Sequence, residues 1–294
     1  MNMRPAPRPL SIAEAVALLS DLTGARFRVV RALAGGETGA TEIEDADGRR
    51  HVFKREVDPD NRIARHNGAR LADRLRIEAG WPAPEQQLFD TDACLLILQA
   101  FMPGRNVTML SHDLVDSLFE LHERRLRLAV PSATDQWGQD MIEILVEGGN
   151  GYCLHDPLRQ FDRRTRRIVD RIEEIGRSLD PLDLGGGEIV HGDLHPRNLL
   201  EESGRLTAVI DMDYVRVGDA AFDLTMLALC SLEVTTEPGV RSRLFARGID
   251  ELAEPRRSAY VAGLLLRFLD WPIRKSRTDE VEFWIAQSDR LLPG

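Results

Sequence analysis

The sequence predicts an α+β protein in two parts, a small β-rich N-terminal lobe followed by a larger helical lobe. Three observations predict it. Strand-like runs crowd the first hundred residues, Phe101-Met102-Pro103-Gly104 interrupts the chain, and helical apolar spacing dominates beyond that point. The expected division is 1–100, a hinge at 101–104, and 105–294.

Taken in order, residues 11–22 carry helical spacing behind a Ser start. Residues 26–33 read as a strand, and Gly35-Gly36-Glu37-Thr38-Gly39 forms a turn into a second strand near 40–44. Asp47-Gly48 is a hairpin signal, and His51-Val52-Phe53-Lys54 is the returning strand. A helix is expected over 61–78, ended by Trp81-Pro82, followed by strands near 86–90 and 94–99. Beyond the hinge, helices are expected over 111–128, 137–147, 159–179, 220–231, 239–252, 256–270 and 278–292, with strands only at 188–190, 198–201 and 206–211.

Length and composition fit a globular chain: 294 residues, 43% hydrophobic and 29% charged. No apolar run reaches the roughly 18–20 residues of a membrane span. The start MNMRPAPRPL has no apolar signal core, so a cytoplasmic protein without a membrane partner is expected. Cys94, Cys153 and Cys230 form no CxxC and read as buried thiols. A net charge of −10 argues against a nucleic-acid partner. Residues 181–224 hold 3 basic and 9 acidic side chains, net −6. Such a cluster repels itself unless cations neutralise it, and bound metal is one such cation; solvated loop and cap acids are the plainer reading.

That acidic segment contains His191-Gly192-Asp193-Leu194-His195-Pro196-Arg197-Asn198 and then Ile210-Asp211-Met212-Asp213. An Asp, an Asn five residues on and a later Asp suit phosphoryl transfer from a magnesium nucleotide. One carboxylate orients a hydroxyl and takes its proton, while the Asn amide oxygen and the later Asp hold a hard, oxygen-seeking Mg²⁺. Lys54 adds weight, because only it and Lys275 are lysines among 38 basic residues. Lys is a compact point charge that fits among phosphate oxygens. The glycine turn one hairpin earlier would bring backbone N–H groups near phosphates, although a plain hairpin turn explains it as well.

With Gly218-Asp219-Ala220-Ala221-Phe222-Asp223-Leu224 added, the set resembles the aminoglycoside phosphotransferase and kinase-like family, over roughly residues 25–270. HGDxHxxN is matched at every fixed position. The resemblance implies a bilobal protein-kinase-like fold and a phosphotransferase with an alcohol group as acceptor. It implies Asp193 as catalytic base, Asn198 and Asp211 as Mg²⁺ ligands, and Lys54 on the α- and β-phosphates. Gly35, Gly36 and Thr38 would lie over the phosphates, and Ala100, Phe101 and Met102 would form the hinge that reads the base of ATP or GTP. His191 and Asp219 would brace the loop, and Asp223 would cap or anchor a helix.

One departure stands out. The family carries a Glu on the N-lobe helix that pairs with the strand Lys. Alignment backwards from Gly80-Trp81-Pro82 places that position at Gly68 or Ala69, and residues 60–77 contain no Glu. Asp73 or Glu78 would have to substitute, or the pair is missing. Rival readings are weaker. A GDxH phosphoesterase needs later histidines, but all seven lie at or before His195. Zinc at His191 and His195 lacks a nearby Cys. A pseudokinase-like binding protein would explain the missing Glu but has no need of Asp193, Asn198 and Asp211 together. The expected acceptor is a small hydroxylated molecule, first an antibiotic or nucleoside-type natural product, second an amino-alcohol, homoserine or sugar-type metabolite. The Arg163–Arg167 run would suit an anionic group, but a solvated helix face explains it better.

Overall fold

The computed structural model describes residues 10–33, 39–128, 130 and 136–292. They form two compact units. The first runs to Asn106 and takes back Asn198–Val215; the second comprises Val107–Arg197 and the chain from Arg216 onward. The division at 101–104 therefore misses one crossing. Asn198–Val215 returns to the first unit because Leu199–Glu202 pairs with Arg105–Asn106, and because Val209 N donates to Pro82 O at 3.0 Å.

In the first unit, α1 (Ile12–Thr23) opens on a capping box: Ser11 Oγ accepts from Glu14 N at 3.2 Å and Glu14 Oε2 accepts from Ser11 N at 2.7 Å. Five strands follow, β1 (Phe27–Ala32), β2 (Thr41–Asp45), β3 (Arg50–Glu56), β4 (Gln86–Asp90) and β5 (Leu95–Ala100). They pair antiparallel in the order β1-β2-β3-β5-β4. Ala15, Val16 and Leu19 of α1 bury against Ile43, Phe53, Leu96 and Leu98. Helix α2 (Arg62–Glu78) runs between β3 and β4. The returning segment is a hairpin, Leu199–Glu202 with Arg205–Val209. Its two-residue turn, Ser203-Gly204, has positive φ at both positions, the geometry that matches strand twist.

The second unit is helical: α3 (His112–Arg125), α4 (Gln136–Val146), α5 (His155–Phe161), α6 (Arg163–Arg177), α7 (Ala221–Cys230), α8 (Val240–Phe245), α9 (Arg256–Arg274) and α10 (Thr278–Leu291). The single helix expected over 159–179 is broken at Asp162, whose extended backbone lets its side chain accept from Arg164 N and Thr165 N at 2.7 and 2.9 Å. The helix expected over 239–252 becomes α8 and a wider turn over Ala246–Asp250, where Gly248 allows close approach to the Leu224 carbonyl. From Phe222 to Cys230 every residue of α7 is buried, which makes it the centre of this core. Strand Glu188–Val190 pairs with Arg216–Gly218 and leads directly into His191. Among the described residues no helix is long and apolar enough to cross a membrane. The three cysteines are free and buried, and burial pushes the Cys153 thiol up to about 12.

Candidate active site

The first unit gathers the nucleotide-side residues. Lys54 lies mid-strand on β3, paired with Ile97 of β5, so the sheet fixes its position. Its Nζ donates to Asp211 Oδ1 at 2.7 Å and to Asp213 Oδ2 at 3.0 Å. Burial opposes the ammonium charge, but Asp213 and Asp211 outweigh it and raise its pKa. The hairpin brings Asn198 and Asp211 together: Leu199 pairs with Val209, and Ile210 N donates to Asn198 O at 2.9 Å. Both metal-ligand candidates thus sit at the hairpin's open end. Asp211 has φ 63° and ψ 57°, a left-handed conformation uncommon outside glycine and frequent at functional sites.

Neither Asp73 nor Glu78 replaces the missing helix Glu; they pair with Arg76 and Arg74 on their own helix. The Glu position cannot be filled at Gly68, where a Cβ would lie 2.9 Å from the Val215 carbonyl oxygen. In the hinge, Ala100 N donates to Glu85 O at 2.8 Å and Phe101 N to Arg50 O at 3.3 Å, while the Arg50 guanidinium lies 3.6 Å from the Phe101 ring centre. Two of the three expected hinge amides are thereby engaged within the sheet edge. Gly35, Gly36 and Thr38 lie outside the described residues.

The second unit holds the loop of Asp193. Gly192 takes φ 78°, which turns the chain so that Gly192 N donates to Asp223 Oδ1 at 2.9 Å and His191 N to Asp223 Oδ2 at 2.8 Å. Arg125, fully buried on α3, pairs with Asp223 and donates to Ala220 O at 2.7 Å. Asp193 N donates to the fully buried His191 at Nδ1, 3.2 Å. Asp219 meanwhile accepts from Ala221 N at 2.9 Å, lies 2.6 Å from the Tyr260 hydroxyl, and pairs with Arg256. The two expected acidic roles are therefore exchanged: Asp223 braces the loop, and Asp219 caps α7 and ties it to α9. Gly218 precedes Asp219 because the Trp137 ring lies against its backbone and leaves no room for a Cβ.

Asp193 itself is buried and meets Arg267 of α9, whose Nη2 donates to Asp193 Oδ1 at 2.7 Å and Nη1 to Gly192 O at 3.0 Å. His195 Nε2 lies 3.5 Å from the same carboxylate. Burial favours the neutral acid, but Arg267 and then His195 outweigh it and hold the carboxyl well below the usual range. Local sequence gave no signal for Arg267, Arg65 or Arg125, three arginines in an arginine-rich chain. Asp213 was visible only as the second acid of IDMD.

The local −6 is resolved by these pairs. Lys54 and Arg105 answer acids in the first unit, and Arg125, Arg256 and Arg267 answer acids in the second. Asp193, Glu201, Asp211, Asp213, Asp219 and Asp223 are structural partners of these cations, while Asp183 and Glu202 are exposed, as the plainer reading expected. The arginine run on α6 is a surface ion-pair face, with Arg164 on Asp162 and Glu282. Trp137 and Trp284 are core.

No curated protein sequence matches the chain. Solved structures do. The aminoglycoside phosphotransferase APH(4)-Ia matches with TM-score 0.66 and 18% identity over 95% of this chain and 98% of its own. A thermostable mutant of it, in ternary complex with ADP and hygromycin B, matches with TM-score 0.62 and 16% identity over 94% and 97%. Macrolide 2'-phosphotransferase MphH from Brachybacterium faecium matches with TM-score 0.56 and 18% identity over 96% and 99%. These likenesses show the fold, an α+β kinase-like architecture. The model of the APH phosphotransferase enzyme family matches residues 3–260, and with the motif geometry above this chain belongs to that family.

Proposed function

We propose that this phosphotransferase moves the γ-phosphate of ATP or GTP to a hydroxyl of a small molecule, with Mg²⁺ as cofactor. The observation that carries the reading is the hairpin end in the first unit, where Ile210 N donates to Asn198 O and so brings Asn198 beside the start of Asp211. Among the described residues no three His, Cys, Asp or Glu side chains gather to hold a metal. One amide oxygen and one carboxylate nevertheless fit Mg²⁺, which takes its other ligands from phosphates and water.

When bound, Mg²⁺ offsets charge on the β- and γ-phosphate oxygens. Asn198 and Asp211 would hold it, and Lys54 would meet the α- and β-phosphates. The acceptor hydroxyl donates to Asp193, its oxygen bonds to the γ-phosphorus, the bond to the β-phosphate oxygen breaks, and the hydroxyl proton passes to Asp193. Arg267 keeps Asp193 ionised, so its main work is aligning the hydroxyl, as a loose transition state requires.

For the acceptor, a natural-product antibiotic or nucleoside is the first reading. Arg267 and His195 beside Asp193 disfavour dense positive charge there, which favours a macrolide-like or nucleoside hydroxyl over a polycationic aminoglycoside. An amino-alcohol, homoserine or sugar-type metabolite is the second reading. The test is an acceptor screen with labelled ATP and GTP, with and without Mg²⁺, followed by locating the phosphate on the product. Asp193→Ala is expected to cut turnover by roughly 10²–10⁴ while nucleotide still binds; near-normal turnover would remove Asp193 from its role.

A further inference from the structure

We propose that Asp213, clamped by Arg65 of α2, is the residue that positions Lys54 for the nucleotide phosphates, in place of a helix glutamate. This rests on the reading that Lys54 meets those phosphates.

Lys54 has two carboxylate partners, and they differ. The Asp211 side chain is 33% exposed, whereas Asp213 is 7% exposed. Asp211 is also the residue with left-handed backbone and the metal-ligand candidate. A carboxylate that turns to a metal cannot serve as the lasting anchor of a lysine. Asp213 can, because it is itself held: Arg65 Nη1 donates to Asp213 O at 2.8 Å and lies 3.5 Å from its Oδ2. The same guanidinium donates through Nε to Glu56 Oε2 at 3.0 Å, and Glu56 lies two residues beyond Lys54 on the same face of β3. Lys54, Arg65, Asp213 and Glu56 thus form a closed set of two cations and two anions. It needs nothing from Asp211, so releasing Asp211 leaves no buried charge unpaired.

The arrangement reverses the expected polarity. Helix α2 contributes a cation rather than an anion, and the anion comes from the segment after the hairpin. Gly68 makes this possible, since its bare backbone lets α2 approach Val215 closely enough for Arg65 to reach Asp213. The link between α2 and Lys54 is retained, with one more charge in the chain.

The test is a double-mutant cycle read by affinity for a fluorescent ATP analogue, in EDTA and in Mg²⁺. Lys54→Met and Asp213→Asn are each expected to weaken binding roughly tenfold, and the double variant little more than either alone. The Asp213→Asn loss is expected to persist in EDTA. Arg65→Met is expected to reproduce it in part, and Arg65→Lys to restore some of it. Arg76→Gln, in a surface pair of the same helix, serves as the unaffected control. If Lys54→Met leaves affinity unchanged, the Lys54 reading itself fails. If Lys54→Met weakens binding but Asp213→Asn adds independently to it, or acts only in Mg²⁺, Asp213 is not the positioning residue. Melting temperatures of all variants separate these outcomes from unfolding.

Discussion

The two units treat their motif carboxylates in opposite ways. In the second, Asp223 and Arg125 are wholly buried and their polar atoms are spent on the main chain around the Asp193 loop. In the first, Lys54 is paired with Asp211, which remains a third exposed and sits in a strained backbone conformation. The second unit therefore fixes a loop in one geometry. The first keeps a partly exposed carboxylate on its lysine, which under the proposed function would leave the lysine for a metal. Rigidity is needed where a hydroxyl must be aligned to a fraction of an ångström, and exchange is needed where a nucleotide enters and leaves.

The contrast predicts different failures. Asp223→Ala removes the carboxylate that answers a fully buried guanidinium and leaves two loop amides without that acceptor. It is expected to cost about 3–5 kcal/mol of stability, measured by urea denaturation. Asp219→Ala, whose cation Arg256 lies nearer solvent and whose other partner, the Tyr260 hydroxyl, keeps the Leu184 carbonyl, is expected to cost less. Equal costs would erase the distinction between brace and cap. In the first unit, Asp211→Ala is expected to weaken Mg²⁺-dependent nucleotide binding by at least about 10–100-fold with little change in melting temperature. An unchanged Mg²⁺ titration would remove Asp211 from the metal site.

Arg267 gives a pH test within the second unit. With its pKa depressed, Asp193 stays ionised at and above its ordinary carboxylate range. Any stability from the pair is present there and lost as pH falls through the lowered native value. The acid limb of kcat/KM should therefore not report Asp193 near pH 5. Arg267→Met leaves burial as the dominant influence and should move an acid limb upward into the accessible range. A profile identical to wild type would show that Arg267 does not set the charge of Asp193.

Much of this was legible in the sequence because it is periodic or contiguous. Lys54 on its strand, HGDLHPRN in a loop and IDMD after a strand all follow from local pattern. What was not legible depends on pairs far apart in the chain. Arg65 reaches Asp213 across 148 residues and Arg267 reaches Asp193 across 74, and neither arginine differs locally from its neighbours. The exchanged roles of Asp219 and Asp223 have the same origin. Four residues apart on one segment, they differ in the distant cation each one meets, buried Arg125 for Asp223 and half-exposed Arg256 for Asp219. The break at Asp162 was missed for a local reason, since a side chain that caps the next helix leaves the apolar spacing intact.

The smallest expected effect comes from His122, which accepts from Arg125 Nη2 at 2.9 Å and so must keep its Nδ1 unprotonated. Burial, with Arg125 beside it, holds its pKa down to about 3 from an ordinary 6.5. An unfolded chain takes up the proton near 6.5 and the folded one does not. Stability is therefore complete above that value and falls as pH drops toward the native pKa, with a slope of about 1.4 kcal/mol per pH unit from this group. His122→Gln offers Arg125 an uncharged acceptor and removes the titration. The difference in urea midpoint between wild type and variant should favour wild type at pH 7 and narrow or reverse by pH 5. A difference that stays constant with pH would mean that the brace behind the Asp193 loop is not proton-sensitive. The second unit's rigidity would then owe nothing to the neutral state of this imidazole.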